Sequence, residues 1–282
     1  MGLEPINKSY PAVLRSTWQQ SASGLLWQPP GVTMRSVSSI TGAASEHTSR
    51  EGILIRRFEL HNRSGGAASA GIGFRLANQY WVAGKFTGAG VFTDYTADAQ
   101  DAGANDFILG TDETDDGFVI AATIPFDWFS INVGTAEVDA GGATVPDHAV
   151  RYSDAAGTGW TALGAGGAYT DQFTLTNTVI GTGAREFVWQ KPSDWGAVVS
   201  LGGIPAGMYA ISVTTAQTEV GDTAALATAV EVGTLLSVEA VADNGLYSSE
   251  ALCFWEPKAE GLIAYFSTAN AGNRVYAEAT TA

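Results

Sequence analysis

Apolar residues in this chain recur at every second position over short stretches, and clusters of glycine, asparagine, aspartate and threonine separate the stretches. Residues 52–62 (GILIRRFELHN) carry Ile55, Phe58 and Leu60 and end in the turn cluster 62–66 (NRSGG). Residues 70–76 (AGIGFRL) place Ile72, Phe74 and Leu76 on one face of a strand, with Gly73 and Arg75 on the other. The two segments are expected to pair as an antiparallel hairpin. The strand-and-turn rhythm continues at 117–124, 128–133, 173–175, 185–189 and 208–213. Residues 262–266 and 274–277 flank Asn270-Ala271-Gly272-Asn273 as a second expected hairpin. One helix candidate stands out, residues 222–232 (DTAALATAVEV). Its alanines and acidic start favour it, and its β-branched residues and flanking glycines weigh against it. The pattern predicts an all-β chain of antiparallel β-sandwich domains, jelly-roll or immunoglobulin-like, with an extended N-terminal arm.

The polar stretches 93–106 and 134–149 read as surface loops, since neither is long or proline-rich enough for a linker. Composition shifts at 111–117 (TDETDDG), which places a boundary near residue 115. The expected organisation is an arm over 1–50, a first β domain over 51–115, a second β-sandwich domain over 116–215 and a C-terminal β segment over 216–282. That last segment is a candidate to complete the first domain. The arm holds Trp18, Trp27 and the Pro29-Pro30 pair among polar and glycine residues, with Arg15, Arg35 and Arg50 spaced along it. These five tryptophan and arginine positions are the candidate partner-binding residues, because Trp and Arg concentrate binding energy at interfaces. The alternative is that the arm folds back as edge strands of its own domain.

Composition narrows the partners. The 282 residues are 45% hydrophobic and 15% charged with eight tryptophans, which suits a packed core and not a disordered chain. Net charge is −15, and only four of the 14 basic residues are lysine. Residues 1–85 hold nine basic and four acidic residues, 86–150 hold twelve acids and no base, and 151–282 hold five basic and thirteen acidic residues. That balance repels nucleic acid and anionic membranes, which need clustered Lys and Arg. No apolar run reaches membrane-spanning length. The N-terminus lacks a basic stretch followed by an apolar one, so a protein made in the cytoplasm without an export signal is expected.

Candidate chemistry is sparse. His47, His61 and His148 form no paired metal-ligand spacing. Cys253, in the apolar run 251–255 (ALCFW), reads as a buried inert thiol and rules out a disulfide framework. Asp112, Thr114, Asp116 and Gly117 match the first half of a calcium loop, which makes Asp112 and Asp116 the candidate metal ligands. Thr123 falls where the bidentate glutamate belongs. The 29 acids single out no glycosidase pair. Trp18, Trp27 and Trp81 are candidates for stacking on sugars, against the competing demand of a β core for aromatics. The expectation is a protein that is not an enzyme and holds no cofactor.

The middle of the chain carries the most specific pattern. Residues 116–131 (DGFVIAATIPFDWFSI) set strand, Pro125-Phe126-Asp127 and strand in order. Arg151-Tyr152-Ser153-Asp154, Gly159-Trp160 with Leu163, Phe187 to Trp195 (FVWQKPSDW) and residues 204–213 (IPAGMYAISV) follow. This order resembles a β-sandwich module of virion structural proteins of tailed bacteriophages, over about residues 116–213. Trp160, Trp189, Pro192, Asp194, Trp195 and Tyr209 are the fold-defining residues the resemblance implies. Ala210 and Ser212 depart from it, standing where Trp or Arg is expected. The resemblance implies a virion protein assembled in the host cytoplasm that binds the major capsid protein or other virion subunits. A head decoration protein is favoured, as a homo-oligomer with a trimer preferred. Tail or adaptor proteins and a glycan-binding head-fibre or receptor-binding module are the alternatives.

Overall fold

The structure, a computed structural model, describes residues 13–19, 26–27, 53–87, 90–101, 107–109, 117–138, 147–164, 167–171, 180–216, 225–254, 258–268, 270 and 272–281. In chain order the strands begin with β1 (Val13–Gln19), β2 (Leu26–Trp27), β3 (Ile53–His61), β4 (Ala68–Leu76), β5 (Trp81–Phe86) and β6 (Phe92–Asp94). Next come β7 (Phe107–Ile108), β8 (Gly117–Ala122), β9 (Trp128–Thr135), β10 (Asp147–Ser153), β11 (Trp160–Ala162) and β12 (Ala168–Asp171). The last six are β13 (Gly183–Trp189), β14 (Tyr209–Ala216), β15 (Leu226–Val241), β16 (Leu246–Phe254), β17 (Ala259–Phe266) and β18 (Arg274–Thr281). A five-residue helix, α1 (Thr96–Gln100), lies between β6 and β7. The all-β expectation holds. The chain divides into two compact units, Ile72–Ser237 and Met1–Gly71 with Val238–Ala282.

The unit Ile72–Ser237 is a sandwich. One sheet runs in the order β11-β10-β14-β8-β5-β6, the other β12-β13-β9-β15 followed by residues 72–76 of β4. The sheets face each other through side chains such as Phe118 and Phe129, whose rings meet edge-on at 5.9 Å. All six residues of β8 are buried. Alternation sends Phe118, Ile120 and Ala122 to the partner sheet and Val119 and Ala121 to the opposite face. There the connection 190–208 covers the sheet, and Val198, Leu201 and Ile204 pack with Val119, Ala121 and Ala210. A strand covered on both faces explains the unbroken apolar run FVIAA. Gly202 is required where this connection meets the β5–β6 turn: its φ is +56°, and a Cβ there would collide with the Gly90 carbonyl oxygen.

The second unit holds a four-stranded sheet ordered β1-β18-β3-β16, and β17 runs between β2 and the start of β4. The segments 62–67, 242–245 and 267–273 each carry the chain from a strand of one sheet to a strand of another. Both expected hairpins are therefore corrected. β3 pairs with β16 and β18, which occupy both its edges, so β4 joins the other sheet. β18 pairs with β1 and β3 and not with β17. Buried asparagines hold the crossings together. The Asn62 side-chain amide donates to the carbonyls of Gly66, Val241 and Ala242 at 2.8–3.1 Å, and its oxygen accepts from Ser64 N. Asn273 Oδ1 accepts from Arg63 N at 2.7 Å, and its amide donates to the Thr268 carbonyl. Arg63 Nη1 donates to Asn244 Oδ1 at 2.8 Å, so the 62–67 crossing is bonded to both of the others.

Other expectations shift as well. The boundary near residue 115 is not where contacts divide, because β5 and β8 pair across it from Trp81↔Ala122 to Phe86↔Gly117. The helix candidate belongs to β15 from Leu226 onward, since its valines and threonine fit a sheet between β9 and β4 better than a helix. The stretch 93–106 contains most of β6 and all of α1. The described parts of the first fifty residues, β1 and β2, pair with β18 and β17 at sheet edges, the alternative to a free arm. Charge also redistributes. The unit Ile72–Ser237 carries five basic and nineteen acidic residues, net −14, and the other unit nine basic and ten acidic, net −1.

Candidate functional site

The residues that carry the resemblance converge in space. Trp195 is 8% exposed, with ring centroids of Phe126 at 5.3 Å, Tyr209 at 5.9 Å, Trp189 at 6.1 Å and Tyr152 at 6.4 Å. Pro192 ends the β13 segment, and the turn at Ser193-Asp194 sends Trp195 back into this cluster. Its indole is thus an interior plug. Its Nε1 donates to Ser153 Oγ at 3.0 Å and to the Ala210 carbonyl at 3.2 Å. Ser153 Oγ donates to the Gly196 carbonyl at 2.6 Å and accepts from Ala210 N at 3.2 Å. Tyr152 OH donates to Asp194 Oδ1 at 3.1 Å, so Asp194 anchors a neighbouring strand.

A second motif pair meets beside this cluster. Asp127 Oδ2 is 2.9 Å from Lys191 Nζ, and Asp127 Oδ1 accepts from Leu235 N. Lys191 Nζ also donates to Thr234 Oγ1 at 3.1 Å, and Thr234 Oγ1 donates to the Pro125 carbonyl. Burial pushes the Asp127 carboxyl up from 3.8 to about 6, outweighing the opposing pull of Lys191 and of its hydrogen bonds. Lys191 keeps a side chain 35% exposed, so the pair has one buried and one wetted end. Asp127 and Lys191 lie within the motif segments 116–131 and 187–195, and nothing local to either gives it a role. The signal was an acid and a base in apolar strings, but their spacing of 64 residues hid the pairing.

His148 also has a buried neighbour that sequence spacing did not suggest. Its Nε2 lies 3.2 Å from Glu137 Oε2, with both side chains 1% exposed. Glu137 Oε2 accepts from Ile180 N at 2.9 Å, and Glu137 N donates to the Ile180 carbonyl. Among the described residues, no group of three or more His, Cys, Asp or Glu side chains is placed to hold a metal ion. No helix of the described residues is long and apolar enough to cross a membrane.

The remaining sequence candidates fall in different places. Trp189 is fully buried, and Trp81, at 2% exposure, is too buried for sugar stacking, a correction imposed by its place on β5. Trp160 is half-buried, edge-on to Phe86 at 5.5 Å with the Arg151 guanidinium 5.9 Å from its ring. It packs against the cluster on the outer face of the six-stranded sheet. Arg15 and Trp18 sit on β1 opposite Glu278 and Val275, and Trp27 sits on β2 opposite Ala264. Cys253 sits on β16 opposite Leu54, and His61 lies 3.6 Å from Glu59. Arg35, Arg50, His47, Asp112 and Asp116 lie outside the described residues.

Fold and cluster together define an antiparallel β-sandwich scaffold whose motif residues bind one another within one unit. No protein-family model matches the chain, nor does any curated protein or solved structure.

Proposed function

We propose that the protein is a structural component of a tailed-phage particle. It binds neighbouring shell subunits as a head decoration protein and self-associates into a closed oligomer. The observation that carries this reading is the fate of the motif residues 116–213. Asp127 and Lys191 bond each other, Asp194 bonds Tyr152, and Trp195 bonds Ser153 and the Ala210 carbonyl, so the most specific part of the sequence serves shape. The partners are the major capsid protein or other virion subunits, and the location is the virion.

The test is to add purified protein to particles that lack it and measure occupancy. Saturable binding to heads supports decoration. Binding only to tails moves the protein to an adaptor role, and no binding to either removes the virion reading.

A further inference from the structure

The sequence contains one Asn-Gly pair, Asn244-Gly245, and it falls in the 242–245 crossing. Asparagine before glycine is a labile amide, because no Cβ shields the nitrogen that follows it. In the reaction the Gly245 N–H gives up its proton and the nitrogen attacks Asn244 Cγ. The new N–Cγ bond closes a five-membered succinimide, the Cγ–Nδ2 bond breaks, and the side-chain nitrogen leaves as ammonia. Water then opens the ring at either carbonyl, which gives aspartate or isoaspartate.

Asn244 is exposed, so water and base reach it from solvent. Each group the reaction uses is nevertheless held. Gly245 N donates to the Ala242 carbonyl at 2.9 Å, which engages the proton that must leave. Asn244 Nδ2 donates to Asp243 Oδ2 at 2.7 Å, and Asn244 Oδ1 accepts from Arg63 Nη1 at 2.8 Å, so the side chain is gripped at both ends of its amide. Asn244 N donates to the Asn62 carbonyl at 2.9 Å and Asn62 N to the Gly245 carbonyl at 3.1 Å, which pins the dipeptide to the 62–67 crossing. Asp243 Oδ1 reaches the same crossing by accepting from Gly65 N at 3.1 Å. Asn244 sits at φ +58°, in the left-handed region that asparagine tolerates. The Arg63 guanidinium also draws electrons from the amide carbonyl, and this favours attack only once the Gly245 nitrogen is released.

We propose that Asn244 is a self-modification site closed by the sheet crossing, with Arg63 as its latch. Deamidation proceeds from the open crossing, so its rate follows the population of that state. The isoaspartate product routes the main chain through Cγ and adds one methylene between residues 244 and 245. The longer link cannot restore both backbone hydrogen bonds to Asn62, so a crossing once modified stays open. This chemistry is independent of the virion reading and stands or falls without it.

The experiment is peptide mapping by mass spectrometry after the full chain is held in mildly alkaline buffer, folded or unfolded in guanidinium chloride. The readouts are the amide-to-acid mass gain at residue 244 and the isoaspartate content of its peptide. Folded wild type is expected to lose the amide about tenfold or more slowly than the unfolded chain. Arg63→Met keeps the aliphatic stem and removes an exposed contact, so its thermal melt should stay within a few degrees of wild type. It should deamidate about threefold or more faster than folded wild type, the factor that one hydrogen bond supplies. Equal rates for folded and unfolded wild type overturn the proposal, as does an Arg63→Met rate at or below that of wild type. An unfolded chain that keeps the Asn244 amide overturns it too. Should Arg63→Met melt early, hydrogen exchange at the Gly245 amide of wild type supplies a second readout. Its protection should match the slowing of deamidation, and an unprotected amide removes the latch.

Discussion

The two units lock their strands by different means. In Ile72–Ser237 a single aromatic plug does it: Trp195 touches four rings, from the β8–β9 connection, β10, β13 and β14, and its one polar atom is satisfied inside. In the unit built from both chain ends, the corresponding task falls to asparagines at the three sheet crossings. An aromatic plug draws on buried area, which is large and non-directional. An asparagine clasp draws on hydrogen bonds, each worth little net but costly to leave broken in the interior. The first mechanism tolerates small shifts of neighbouring strands. The second fixes the register of particular carbonyls.

Removing each lock tests the contrast. Trp195→Ala should have the largest effect, a loss of about 4 kcal/mol from the cavity and from the lost indole hydrogen bonds to Ser153 and Ala210. Trp195→Phe should lose roughly 1–2 kcal/mol by keeping the ring contacts, and denaturant midpoints read both. If the two variants lose equally, the hydrogen bonds and not the packing hold this unit. Asn62→Ala comes next, at about 2–3 kcal/mol, since it removes the amide donor shared by the Gly66, Val241 and Ala242 carbonyls and the acceptor of Ser64 N. Its loss should overlap with that of Asn273→Ala in a double-mutant cycle, because Arg63 bonds through both crossings. Simple additivity would show that the crossings act independently.

The smallest effect is a pH dependence. Asp127 is held at about 6 when folded, above its ordinary 3.8, so the protonated form is the better buried one. Its contribution to stability is complete below 3.8 and is lost as pH rises through about 6. Asp127→Asn cannot titrate. The stability of wild type minus that of Asp127→Asn should therefore fall across this window and level off above it, as read from urea midpoints at several pH values. A difference that rises with pH would mean that Lys191, and not burial, governs the carboxyl.

Much of the strand inventory was legible in the sequence. β8, β9, β13, β14, β17 and β18 lie where alternation and turn residues put them. The motif residues could be singled out, but their meeting around Trp195 could not, because the segments are up to 83 residues apart between Phe126 and Tyr209. Asn62-Arg63-Ser64-Gly65-Gly66 reads as a hairpin turn, and the same glycines and asparagine serve equally well to pass the chain to another sheet. Trp81 shows the other limit. A tryptophan opening a strand after a polar segment has no local mark of burial, and only its neighbours cover it.

By itself the sequence determined that this is an antiparallel β protein, strongly acidic, with its most specific residues between 116 and 213. Period-two alternation and turn chemistry are local, and a local pattern suffices for them. Only the tertiary structure decided which edges pair, that both chain ends share one unit, and that the basic first third is neutralised there to a net of −1. Strand partners are chosen by the faces left to be covered once the whole chain has collapsed, and that choice is written in no single segment.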